Sequence, residues 1–229
     1  MKSLRILFVL GLAGPLAAQA GGLVPDRTTL DAITGSLGVT ETFESYNLAA
    51  GTALTFTGIN VFDSTVPLNG QGPGLVDPGV TFSGSLLQWD AATYFGAPTK
   101  EILFNSSTIT IDFAVPTIAF GVDVRDFAGY SDMMSAAIYA ADGTTLLATF
   151  SGGSAVALGG GTPVFFGYQD SSGIGRVTLT MQASPWSPLI DNLQFIPVPE
   201  PSTGVLLGAG LAWPLLAVRR RAKRRTLES

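Results

Sequence analysis

The feature that most constrains the fold is a two-residue alternation in the middle of the chain. Between Ser107 and Val115, Ile109, Ile111 and Phe113 alternate with Thr108, Thr110 and Asp112. After Pro116, the residues Ile118, Phe120, Val122 and Val124 repeat the pattern. A period of two sends successive side chains to opposite faces of a strand, so such a stretch has one face for a core and one for water. The alternation predicts Ile109, Ile111, Phe113, Ile118, Phe120, Val122 and, later, Leu193 inside, with Thr108, Thr110 and Asp112 outside. A slip of one residue would invert every one of them. Pro116 reads as a break between two strands, because proline has no N–H for a ladder.

From Val39 onward the same language continues. Ala136–Ala141 and Thr145–Phe150 flank Asp142-Gly143, a strong hairpin signal. Val164–Tyr168, Arg176–Met181 and Leu189–Phe195 supply later strands, and no long amphipathic helix precedes residue 202. Short strands separated by Gly, Pro, Asn and Asp predict a mainly β domain over residues 39–196, an antiparallel β-sandwich of jelly-roll type. Asp63–Gly79 and Gly152–Gly161 are Gly-rich and read as long connections; the second lacks the Lys and the following helix of a phosphate loop. Ahead of the strands, residues 21–38 form an opening segment. There Asp26 caps a short helix with Leu30 and Ile33 on one face, and Gly35 and Gly38 end it. Asp26 and Arg27 read as its solvated first turn.

The two ends carry addresses. Lys2 and Arg5 precede an apolar run from Ile6 to Leu16, and Ala18-Gln19-Ala20 gives an A-x-A cleavage site before Gly21. Residues 1–20 are therefore expected to be a secretory signal peptide, passed through the Sec translocon and removed. At the other end, Pro199-Glu200-Pro201 precedes an uncharged run of 17 residues, 202–218, and then five Arg and one Lys within 219–225. As a helix the run spans roughly 26 Å, near the lower limit for crossing a bilayer. The basic cluster belongs on the cytoplasmic side.

Without these ends the composition changes. Between residues 21 and 200 only Arg27, Lys100, Arg125 and Arg176 are basic, against 16 acids, a net charge of −12. Such a body is unsuited to nucleic acid. The chain has no Cys and no His. That excludes disulfides, thiol nucleophiles, Ser-His-Asp triads and zinc sites built on His or Cys.

Pro-Glu-Pro, a short apolar helix and a terminal Arg cluster, in that order over residues 197–225, resemble the PEP-CTERM sorting signal of Gram-negative bacteria. Pro214 departs mildly from the usual Leu/Ala/Gly-rich run. The resemblance implies a precursor held in the inner membrane by its C-terminal transmembrane helix. It also implies cutting near Pro199, Glu200 and Pro201 by an exosortase and delivery to the cell surface or an exopolysaccharide matrix. A permanent tail anchor of structural role is the alternative. The body adds a weaker resemblance. Thr42-Phe43-Glu44, Gly79-Val80-Thr81-Phe82, Phe120-Gly121-Val122-Asp123-Val124 and Ile190-Asp191-Asn192-Leu193-Gln194-Phe195 look like the jelly-roll domains common in such proteins, which are similar to galactose-binding-like carbohydrate modules.

Those modules often hold a structural Ca²⁺ where first and last strands meet, which makes Glu44 and Asp191 the expected Ca²⁺ ligands, with backbone carbonyls completing six to eight oxygens. Asp123, Asp126 and Asp132 form a second acidic group, with Arg125 among them as an expected ion-pair partner. For sugar, the expected residues are Trp89, Asp90, Tyr94 and Trp186: rings stack on C–H faces and polar groups take hydroxyls. Against this stands the general rule that aromatics in a sandwich are mostly core. A polysaccharide hydrolase needs two carboxylates across a cleft, and no sequence signal singles out a pair. The expected role is binding or structural, with carbohydrate as the ligand class, rather than catalytic.

Overall fold

The computed structural model describes residues 21–91, 100–127, 132–159, 162–185 and 187–197, with backbone alone for Leu86, Leu87 and Asp90. The expected signal peptide and transmembrane helix lie outside these residues. Among the described residues no helix is long and apolar enough to cross a membrane.

The chain opens with β1 (Gly22–Val24) and α1 (Arg27–Thr34), followed by β2 (Val39–Glu41), β3 (Ala53–Thr55), β4 (Val61–Asp63), β5 (Val80–Ser83), β6 (Leu86–Asp90) and β7 (Glu101–Phe104). Then come β8 (Thr108–Arg125), β9 (Asp132–Ala140), β10 (Leu146–Phe150), β11 (Val156–Leu158), β12 (Val164–Met181) and β13 (Leu189–Pro197). The pairings among them are antiparallel.

Pro116 does not end a strand. β8 and β12 are each continuous over 18 residues, where two pairs of shorter strands were expected. Their register explains how. Gln169 faces Ala119, Ile174 faces Thr117 and Arg176 faces Asp112. Extra residues in β12 are thus followed by extra residues in β8, and the original register returns. Opposed bulges of this kind bend both strands together. Phe113 and Phe120 measure the bend. Seven extended residues would separate them by roughly 23 Å, yet their ring centroids are 6.0 Å apart. The strand folds back on itself, and its two halves line the two sides of one core.

The first half of β8 pairs with β5 and with the C-terminal part of β12, which β9 and β10 extend. The second half pairs with the N-terminal part of β12 and with β13, beyond which lie β2 and the series β7, β6, β3. The result is a mainly β, sandwich-like body. Ile109, Ile111, Phe113, Phe120, Val122 and Leu193 are buried as expected. Ile118 is not: it is 37% exposed. It sits at the bend, where Thr117 takes the buried position and its hydroxyl accepts from Ile196 N–H at 2.9 Å. Regular alternation resumes only at Phe120. On the outer face, Asp112 pairs with Arg176 directly across the ladder, at 2.6 Å.

The hairpin signal is realised. Asp142 Oδ1 accepts from Thr144 N–H at 2.8 Å and Thr145 N–H at 2.7 Å, and Gly143 takes φ 68°. These bonds, that of the Thr145 hydroxyl foremost, hold the Asp142 carboxyl down at about 2. The two Gly-rich connections are more structured than expected. The 63–79 segment buries Leu68, Leu75 and Val76 in the core, and the 152–161 segment contains β11.

The opening segment covers the outer face of the second half of β8. Asp26 caps α1 by accepting from Thr29 N–H at 2.7 Å, and Leu30 packs with Val24, Ala119 and Ile196. Gly121 lies under this helix. A Cβ there would stand 2.5 Å from the Phe165 ring and 2.6 Å from Leu30 Cδ2. Gly121→Ala is therefore expected to cost about 1–3 kcal/mol by overpacking, read as a lower urea midpoint with faster amide exchange in α1. An unchanged midpoint would show that helix and ring can move aside freely.

Candidate functional site

Most of the residues singled out in the sequence are placed by an identifiable contact where they are described. Trp89 is fully buried and does not form a sugar platform. It stacks on Tyr46 at 5.0 Å and meets Phe62 and Phe43 edge-on at 5.4 and 6.1 Å. Its Nε1–H donates to the Phe43 carbonyl at 3.1 Å. The indole thus has apolar neighbours on its faces and a partner for its one polar atom, which is how a core tryptophan is satisfied. The Asp90 side chain, Tyr94 and Trp186 lie outside the described residues, as do Pro199, Glu200 and Pro201.

Glu44 is in a turn after β2, not in a strand. Its carboxylate accepts from Lys100 N–H at 2.8 Å and pairs with Lys100 Nζ at 3.0 Å. Asp191 is buried in β13, and its Oδ1 accepts from Asn192 N–H at 2.7 Å. Asn192 has φ 50°, and the register with β8 shifts between Asp191 and Gln194. Asp191 therefore sits at an irregularity of its own strand. The expected Ca²⁺ ligands have separate protein partners, and among the described residues no group of three or more acids is placed to hold a metal.

The second acidic group also divides. Asp123 pairs with Arg27 of α1 at 2.8 Å and accepts from Asn192 Nδ2 at 3.1 Å. Asp132 Oδ2 accepts from Ala183 and Ser184 N–H at 3.2 and 3.0 Å. Asp126 is buried.

Two structural anchors carry no local signal in the sequence. Arg27, expected in solvent, reaches across to the sheet. Besides Asp123, it donates to the Asn192 carbonyl at 3.0 Å and to Gln194 Oε1 at 3.3 Å, and its guanidinium lies 5.2 Å from the centre of the Phe165 ring. Gln194 Nε2 in turn donates to Asp31 and Thr34, each at 3.0 Å. The second anchor is Glu41, a buried carboxylate on β2. Its two oxygens accept from the N–H groups of Phe43 and Asp77. Burial pushes its carboxyl above the usual glutamate range, against the opposing pull of those two bonds.

The last strand leads directly into the candidate sorting segment. β13 is paired on both sides and ends at Pro197, opposite Thr117. In the sequence only Val198 stands between the end of β13 and Pro199.

No curated protein matches this chain. Among solved structures, the catalytic domain of a GH87 α-1,3-glucanase in complex with tetrasaccharides is similar at 12% identity and TM-score 0.31, over 72% of this chain and 29% of that one. A family 35 carbohydrate-binding module from Clostridium thermocellum is similar at 12% identity and TM-score 0.31, over 70% and 98%. The K2 cleaved adhesin domain of Lys-gingipain follows at 14% and 0.26, over 70% and 98%. The chain thus spans less than a third of the glucanase, and scores of this size establish neither a shared fold nor a shared ligand. The tail is specific where the body is not: residues 197–224 match the PEP-CTERM protein-sorting motif, so this chain carries that motif from the last residue of its last described strand onward.

Proposed function

We propose that this is an exported protein whose β body is separated from its C-terminal segment by an exosortase and then serves a binding or structural role outside the inner membrane. The observation that carries the reading is the sorting motif at residues 197–224, abutting β13. Processing there would release a compact acidic body carrying a few residues of tail. A non-catalytic role agrees with the chain's chemistry. It has no His or Cys, and the carboxylates of Glu41, Glu44, Asp112, Asp123 and Asp132 are occupied in holding the fold. Exopolysaccharide is the proposed surroundings of the released body. With Trp89 in the core, carbohydrate contact rests on Asp90, Tyr94 and Trp186.

The test is fractionation of a Gram-negative host with and without its exosortase, followed by mass measurement of the mature C-terminus. The expected mature chain ends between Pro199 and Ser202 and lacks the Arg cluster. Replacing Pro199, Glu200 and Pro201 together by Ala is expected to leave precursor in the inner membrane. Full-length chain through Ser229 in the outer fraction would defeat the proposal, and uncut chain confined to the inner membrane would favour a tail anchor.

A further inference from the structure

We propose that signal-peptide removal creates a built-in latch: the new α-ammonium at Gly21 forms an ion pair with Asp170 and thereby fastens β1 to β12. The inference rests on the export reading and on cleavage between Ala20 and Gly21. It is carried by the seat that Gly21 occupies.

β1 pairs with β12 through Gly22–Gln169, Leu23–Tyr168 and Val24–Gly167. This pairing brings Gly21 against the bulged part of β12. A Cβ on Gly21 would stand 2.3 Å from Tyr168 Oη and 2.4 Å from Asp170 Oδ2. Both oxygens are the outer ends of side chains that close around Gly21. With N–Cα at about 1.46 Å and a similar Cα–Cβ bond, the Gly21 nitrogen lies within about 5 Å of both. In the precursor that nitrogen is a neutral amide. After cleavage it is an ammonium, with the Asp170 carboxylate within about 5 Å.

Asp170 is held for this task. Its Oδ1 accepts from the Ser172 N–H at 2.8 Å and the Ser172 hydroxyl at 2.6 Å, while Oδ2 is the oxygen that faces Gly21. Tyr168 reports the same local field: burial and the Asp170 charge hold its phenol above the ordinary value of 10. Tyr168 and Asp170 are the titratable groups seated against Gly21. α1, which packs on β1, is capped by Asp26 and carries Arg27 and Asp31, and these are engaged with Thr29, Asp123 and Gln194. An ammonium beside a carboxylate titrates above its usual range of about 7.7–8.0. The latch therefore stabilises β1 fully below pH 7.7 and loses its effect as pH rises through the folded value.

The test uses the protein as its own host exports and processes it, with Asp170→Asn beside the wild type. Asn keeps an oxygen for the Ser172 turn and removes the charge. Mass measurement of the N-terminus comes first; a mature chain that begins anywhere but Gly21 overturns the latch and the cleavage reading together. With Gly21 established, the pH dependence of its ¹³Cα shift gives the ammonium pKa. The expected value is about half a unit or more higher in wild type than in Asp170→Asn. The melting temperature of wild type is expected to exceed that of the variant at pH 6 and to match it at pH 9.5. Equal pKa values, or a melting difference that persists at pH 9.5, would overturn the ion pair while leaving export and cleavage intact.

Discussion

Trp89→Ala is expected to lower the unfolding free energy by about 3–5 kcal/mol, the cost of emptying a filled aromatic site. Among the described residues the indole is the largest fully buried side chain, and it touches Phe43, Tyr46 and Phe62, which come from two separate segments before it. Those segments, 43–46 and β4, contain little regular structure of their own, so the ring is what they have in common. Removal also strips the Phe43 carbonyl of the Nε1–H bond, and an orphaned buried acceptor costs about 1–3 kcal/mol. Trp89→Phe separates the two contributions: it keeps much of the ring contact and loses the bond, and is expected to cost less than half as much. Urea midpoints with unchanged m-values measure both. If Trp89→Ala leaves the midpoint where it was, the ring is not a core element and returns as a candidate for a sugar face.

This pair of substitutions also marks where the sequence stops being informative. Two-residue alternation states that Ile109, Ile111 and Phe113 share a face. It does not state that the strand continues through Pro116 and returns along the opposite side of the same core. That depends on matched bulges in β8 and β12, and β12 supplies its share through Gly173 at φ 94° and Gly175, where a Cβ would stand 2.7 Å from the Ala140 carbonyl. Ile118 departs from the pattern for this reason: the pattern is local and the bend is not. Short-range chemistry is legible at the Asp26 cap and the Asp142-Gly143 turn, because both partners lie within three residues. Trp89, Arg27 and Glu41 could not be read that way. Trp89 meets Phe43 across 46 residues, Arg27 meets Gln194 across 167, and Glu41 meets Asp77 across 36.

Glu41→Ala is expected to cost about 2–4 kcal/mol, through the two backbone donors it strands at about 1–3 kcal/mol each. The half-exposed Asp77 N–H belongs at the low end. The Phe43 N–H belongs at the high end, because Phe43 is fully buried and has φ 55°, a left-handed conformation that a bulky residue keeps only when its surroundings enforce it. Glu41 holds its N–H and Trp89 holds its C=O, so the strained residue is pinned from both sides. The same carboxylate ties β2 to the end of the 63–79 segment through Asp77. Titration separates this account from simple loss of packing. Burial raises the Glu41 carboxyl above its ordinary 4.5, so the folded chain binds that proton more tightly than the unfolded chain does. The contribution of this group is then greatest below pH 4.5 and declines as pH rises through the folded value. Glu41→Gln has no proton to exchange and keeps one acceptor. The stability advantage of wild type over Glu41→Gln is therefore expected to shrink as pH rises from 4 toward neutrality. An advantage that grows over that interval would mean that the two N–H bonds outweigh burial, and that Glu41 is held as a fully charged clamp.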